Sequence, residues 1–157
     1  MPRPRCSLAK GLAALAGALA LLAIVGCGGG AGVSEGATVV AYVDAPLCAG
    51  AKGRLAKQGG EAGSVRVRVS CLANDRDGAR LNLAAVGANA RRATEDSATV
   101  VYIEAPAVPS FSRPIVEAAG IPLIRSNSGE AAMGQLLSAI AEADSGSLRD
   151  SVREALN

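Results

Sequence analysis

Histidine and tryptophan are absent from this chain, and its aromatic side chains are confined to Tyr42, Tyr102 and Phe111. Without histidine, the commonest general base, the usual proton shuttle near neutral pH and the commonest metal ligand are all missing. With so few aromatics there is little for a sugar or a nucleobase to stack on. A clustered basic excess is lacking too. Residues 1–26 hold three of the 16 basic residues and no acid, so the remainder carries 13 bases against 14 acids, a net charge of −1. No nucleic-acid partner is expected of such a surface. No G-x-S-x-G elbow presents a serine nucleophile, and no base is at hand to activate one. A run of roughly 20 apolar residues, enough to span a bilayer, is also missing; Gly11 to Val25 has only 15.

What is present begins with that short run. Arg3, Arg5 and Lys10 precede it and small residues end it, so residues 1–26 read as a secretory leader. Gly26-Cys27-Gly28-Gly29-Gly30-Ala31 matches the G-x-G-x-x-A form of a dinucleotide fingerprint. Such a loop must follow a strand and open a helix. Here a helical Ala/Leu run precedes the glycines and an irregular Gly/Ser stretch follows, so the nucleotide reading is rejected. Ile24-Val25-Gly26-Cys27 resembles instead the lipobox of bacterial lipoproteins. That resemblance implies cleavage before Cys27, lipidation of its thiol, and an extracytoplasmic protein anchored to the bacterial cell membrane. Residues 27–36 then form a flexible Gly-rich tether. The alternative is an ordinary signal peptide cut nearby, with Cys27 incidental.

From residue 37 onward strand-like and helix-like segments alternate. Thr38 to Val43 and Thr99 to Ile103 are near-continuous β-branched runs, expected of strands buried on both faces. Val65 to Val69 alternates strictly, and Ile121 to Ile124 contains a proline, so both suit edge positions. Between them, helices are expected over 47–59, over 79–93 with Leu83, Val86, Ala90 and Ala93 on one stripe, and around Phe111, Ile115, Ala118 and Ala119. Short connections make this a parallel sheet with right-handed crossovers. The fold class is therefore α/β, a single flavodoxin-like three-layer lobe of about four strands in the order 2-1-3-4. Two C-terminal helices follow over 129–157. One carries Met133, Leu136, Leu137 and Ile140, and the other carries Leu148, Val152, Ala155 and Leu156 behind a Ser147/Asp150 capping box.

Cys48 lies just past the first strand and Cys71 closes the second. If those strands are parallel neighbours, both cysteines meet at one carboxyl edge, and an exported compartment favours a disulfide between them. Two buried thiols or a metal pair are the alternatives, the latter disfavoured without histidine or a C-x-x-C. Asn74 to Gly78 has the look of a calcium loop but lacks its first and last acidic ligands, so a polar turn is expected there. Glu104 is the one candidate acid or base, and with no second catalytic group no enzymatic role is expected. No cofactor or metal is expected either. Ligands of open parallel sheets lie beyond the carboxyl strand ends, which here offer Asp44, Glu104, Ser110, Ser112, Arg125, Ser126, Asn127 and Ser128. Either Ser110 or Ser112 would also suit a helix cap.

The segment from Ala88 to Ser128, with "VVYI", a serine-containing loop and "RPIVEAAGIPLI", resembles the first lobe of type I periplasmic solute-binding proteins. The leucine/isoleucine/valine-binding components of amino-acid ABC transporters are the nearest branch, and the resemblance covers residues 37–128. It implies a small-molecule ligand such as an amino acid, an ABC permease as partner, and a ligand site in the loop Pro106 to Ser112 and the turn Arg125 to Gly129. In the family those two places supply serine or threonine hydroxyls. Here the aligned positions are Pro106 and Gly129, Glu104 stands where a glycine is common, and Ser110, Ser112, Ser126 and Ser128 are the substitutes. Two helices stand where the family has its second lobe. A second lobe, a second copy or another protein is therefore an alternative partner, docking on the outer strand or on the Met133–Ile140 stripe.

Overall fold

The computed structural model describes residues 36–77, 80–106, 110–143 and 147–156. The leader, Cys27, the tether up to residue 35, and residues 107–109 of the serine-containing loop lie outside them. The elements run β1 (Thr38–Val43), α1 (Ala45–Lys57), β2 (Glu61–Ala62), β3 (Val65–Cys71), β4 (Arg76–Asp77), β5 (Arg80–Leu81), α2 (Leu83–Glu95), β6 (Thr99–Glu104), α3 (Arg113–Ala118), β7 (Leu123–Arg125), α4 (Gly129–Ala141) and α5 (Leu148–Ala155).

The main sheet has the order β2-β3-β1-β6-β7, and every pairing in it is parallel except β2 with β3. The expected order 2-1-3-4 is thus present as β3-β1-β6-β7. The count rises to five because Glu61–Ala62 folds back against Val65–Arg66 through Gly63, whose φ of 58° suits a residue without Cβ. That two-residue strand moves β3 off the edge. Its alternation still holds, with Val65 and Val67 buried and Arg66 and Arg68 exposed. The β-branched runs behave as their composition requires: β6 is buried throughout, and β1 everywhere but its first residue.

Helices cover both faces. Val39, Ala41 and Val43 of β1 pack with Val65, Val67, Ile103 and Ile124 against α1, α4 and α5. The alternate residues Val40 and Tyr42 join Tyr102, Ala90, Ala93 and Val116 under α2 and α3. Met133, Leu136, Leu137 and Ile140 are at most 3% exposed, so this stripe belongs to the lobe's own core and is not available to a partner. α4 reaches that position because it crosses α1 at a glycine: a methyl group on Gly129 would overlap the Leu47 carbonyl.

Several local expectations are corrected. β4 (Arg76–Asp77) pairs antiparallel with β5 (Arg80–Leu81) ahead of α2, so that helix starts at Leu83 rather than near residue 79. Leu83 is exposed, and its place on the buried stripe is taken by Asn89, whose amide pairs with both backbone groups of Ala73. Phe111 precedes α3 and is also exposed. Ser147 does stand at the N-cap of α5, but its side chain makes no cap bond, and the Asp150 carboxylate accepts from Arg153, so the capping box is not formed. α5 is held to the sheet by buried Leu148 and Val152 and by Arg149, which donates to the Thr99 carbonyl at 2.7 and 3.0 Å. That bond lies beside a register shift between β1 and β6, where Val40 faces Thr99 and Ala41 faces Val101.

Candidate functional site

Parallel strands end on the same side, so the residues that close them are neighbours. Val43 is in register with both Cys71 and Ile103, and Glu104 with Arg125. The cysteine expectation follows from this register. Cys48 is in the first turn of α1, Cys71 ends β3, their Cα atoms are 5.6 Å apart, and the sulfurs are at disulfide bonding distance. The pair ties the start of α1 to the carboxyl edge of the sheet.

On the α2/α3 side of that edge, Asp44, Asp75, Tyr102, Glu104, Ser110 and Phe111 surround a small recess together with Ser112 and the apolar wall of Leu81 and Val86. Tyr102 and Glu104 both belong here because residues two apart on a strand share a face. Asp44 is 9% exposed and Glu104 6%. Asp44 does not cap α1; its Oδ2 accepts the Ala105 N–H at 2.8 Å, linking the ends of β1 and β6. Burial pushes its pKa up to about 6, opposed by the Ala105 bond and reinforced by Asp75 and Glu104, while Arg76 acts weakly the other way. Burial likewise raises the phenol of Tyr102, with Asp44, Glu104 and Asp75 adding to the effect.

The carboxyl of Asp44 has a stability consequence with a definite sign. Its folded pKa lies above the model value of 3.8, so the native state holds the proton more tightly than the unfolded chain. The contribution is fully present below pH 4 and is lost as the pH rises through about 6. We expect stability from this group to fall by at most about 3 kcal/mol across that window. Urea unfolding of the wild type and of Asp44→Asn at pH 4, 5, 6 and 7 checks this. The difference between the two should change steadily with pH, and parallel profiles would contradict it.

The four candidate serines divide into two groups. Ser110 and Ser112 both donate to Glu104, on its two carboxylate oxygens. Arg125 completes the surroundings of Glu104 with an ion pair at 3.1 Å. Ser112 occupies the position before α3 but makes no side-chain cap bond, so the capping expectation is not met; its hydroxyl goes to the buried carboxylate instead. Ser126 and Ser128 form a separate turn. The Ser126 hydroxyl donates to the Ser128 carbonyl at 3.0 Å and accepts its N–H at 3.1 Å, while Ser128 caps α4 through the Ala131 N–H. All four hydroxyls therefore already serve the protein's own polar groups.

The recess has a volume of about 20 Å³, enough for one water-sized group and far below the roughly 300–1,000 Å³ of sites that enclose a ligand. Tyr102 and Asp75 were not among the sequence candidates. Tyr102 has a detectable signal, its two-residue offset from Glu104, whereas Asp75 arrives through the loop that follows β3, where its carbonyl accepts the Asn82 N–H at 2.7 Å. Among the described residues, no group of three or more His, Cys, Asp or Glu side chains is placed to hold a metal ion, and no helix is long and apolar enough to cross a membrane.

Fold and edge together define the class: a three-layer α/β lobe with a small acidic recess at its carboxyl edge. No family model, curated protein or solved structure matches the chain.

Proposed function

We propose that this chain is a lipid-anchored, extracytoplasmic, non-catalytic recognition lobe that binds through the carboxyl edge of its sheet. One observation carries the choice of edge. Leu83 and Phe111, the exposed large apolar side chains among the described residues, are 55% and 44% exposed. Phe111 lines the acidic recess, and Leu83 begins α2 between Leu81 and Val86, which line it too. A concave site that sets a few polar groups among apolar ones is the usual form of a small-ligand site. The leader and Cys27 support the anchor, and a cysteine pair at bonding distance suits an oxidising compartment.

Kinship with the first lobe of solute-binding proteins of ABC transporters, with a permease as partner, belongs to this proposal and rests on the motifs of residues 88–128. Within it, recognition of one group at the surface is favoured over enclosure of a whole amino acid. The recess is too small, and an α-carboxylate would face Asp44 and Glu104.

Two measurements test the role. Cys27→Ser should shift the chain from the membrane fraction to the soluble fraction and abolish acyl labelling; an unchanged distribution would overturn the anchor. A panel of amines, amino acids, carboxylates and sugars at millimolar concentration should contain a class that raises the Tm of the wild type and not of Phe111→Ser. A flat response from all classes would remove the small-solute role and favour a second one. In that second role the lobe pairs with another copy through β7, which among the described residues has a strand neighbour on one side only and borders a groove of about 620 Å³ lined partly by Ile121, Pro122 and Leu123. Sedimentation as a monomer at high concentration would exclude it.

A further inference from the structure

The recess contains one polar group whose placement the fold does not explain. Tyr102 is only 2% exposed and lines the recess, yet its hydroxyl has no hydrogen-bond partner among the described residues. The hydroxyl oxygen stays open to a water-sized group, since among the described residues the buried side-chain polar atom left without a partner is the Arg54 Nε. Asp44, also nine-tenths buried, receives a single hydrogen bond, the Ala105 N–H on Oδ2; no described residue donates to its other oxygen. Glu104, in contrast, is fully engaged by Ser110, Ser112 and Arg125. Two acceptors that no described residue engages, the Tyr102 hydroxyl oxygen and the second oxygen of Asp44, thus belong to side chains that line one water-sized space, with Asp75 and Glu104 adding negative potential.

We propose that this recess holds the head of a protonated primary amine, with the apolar remainder of that ligand lying on Phe111 and Leu83. The proposal rests on the carboxyl edge being the binding face. An anion is disfavoured by the three surrounding carboxylates. A neutral hydroxyl would leave Asp44 uncompensated, whereas an ammonium brings a charge and three donors. The volume of about 20 Å³ is of the size of one small head group such as –NH₃⁺. Binding should strengthen between pH 5 and 7.5 as Asp44 ionises; the groups facing Asp44 are Asp75, Glu104, Arg76 and Tyr102. An alkylamine stays protonated throughout that range.

The test titrates the full chain in detergent with n-hexylamine, hexan-1-ol, hexanoate and tetramethylammonium, following Tm and calorimetry at pH 7.5. Hexylamine alone should bind, and it should bind more weakly at pH 5. Tyr102→Phe should leave the Tm of the free protein unchanged or raised, because the hydroxyl it removes bonds to none of the described residues. It should weaken hexylamine about tenfold, the equivalent of one hydrogen bond. Asp44→Asn should weaken it by about tenfold or more. Leucinamide beside hexylamine separates a peptide-type α-amine from a slim alkyl or lysine-type amine, and binding of either supports the site. Equal effects of hexylamine and hexan-1-ol, or full amine affinity in Tyr102→Phe, would overturn it. If no amine binds but another solute shifts the wild type and not Phe111→Ser, the amine site falls and the binding edge stands.

Discussion

Alanine at position 129 should lower the unfolding free energy by about 3 kcal/mol, at the upper end of what overpacking a well-fitted site usually costs. The added methyl would overlap the Leu47 carbonyl and press on the Ala51 amide, and both are backbone atoms of α1 that cannot rotate aside. Relief requires α4 to move away from α1, and α4 carries Met133, Leu136 and Leu137, which fill the core beneath it. The same substitution five residues on provides the control. A methyl on Gly134 would sit 3.7 Å from the Arg54 side chain, an ordinary contact in the middle of the helix. Gly134→Ala should therefore stabilise the protein by about 0.5–1 kcal/mol through helix propensity. Urea unfolding of both variants reads the two signs. Equal effects at the two positions would mean that α1 and α4 do not approach as closely as described.

Opening the Cys48–Cys71 bond should cost roughly 3 kcal/mol, the loop-entropy expectation for a separation of 23 residues. The bond closes β1's successor helix onto β3 at the carboxyl edge, so its loss frees the first turn of α1 as well as relaxing the unfolded chain's constraint. Thermal unfolding with and without a thiol reductant should show a drop in Tm of roughly 10 °C, and the Cys48→Ala/Cys71→Ala double variant should match the reduced wild type. Superimposable oxidised and reduced melts would show that the bond is not made in the protein.

How much of this was legible beforehand varies by element. The strands Thr38–Val43 and Thr99–Glu104 were, because β-branched runs of that length leave little else for the chain to do. So was the neighbourhood of the two cysteines, since parallel order brings consecutive carboxyl ends together. The two-residue β2 was not, as no residue pattern marks so short a strand. Leu83 was assigned to the apolar stripe of its helix because periodicity reports a repeat and says nothing of which end of a helix overhangs the sheet, and Phe111 was expected in a helix that begins only at Arg113. The serines were correctly placed at the carboxyl edge, yet hydroxyl donors seek the nearest buried acceptor. Glu104 takes two of them and the Ser126–Ser128 turn takes the others.

Composition and local pattern therefore carried the α/β class, the expected order of the four main strands and the expected address of the leader and Cys27, while the cysteine pairing stayed conditional on which strands are neighbours. Those properties depend on period, length and residue type, which are local. Tertiary structure alone decided that the Met133–Ile140 stripe is core and that Gly129 is a contact point between helices. It also decided that Tyr102 opens onto a recess between Asp44 and Glu104 with an apolar rim. Those depend on which surfaces face one another at a few ångströms, and no window of sequence contains both sides of such a contact.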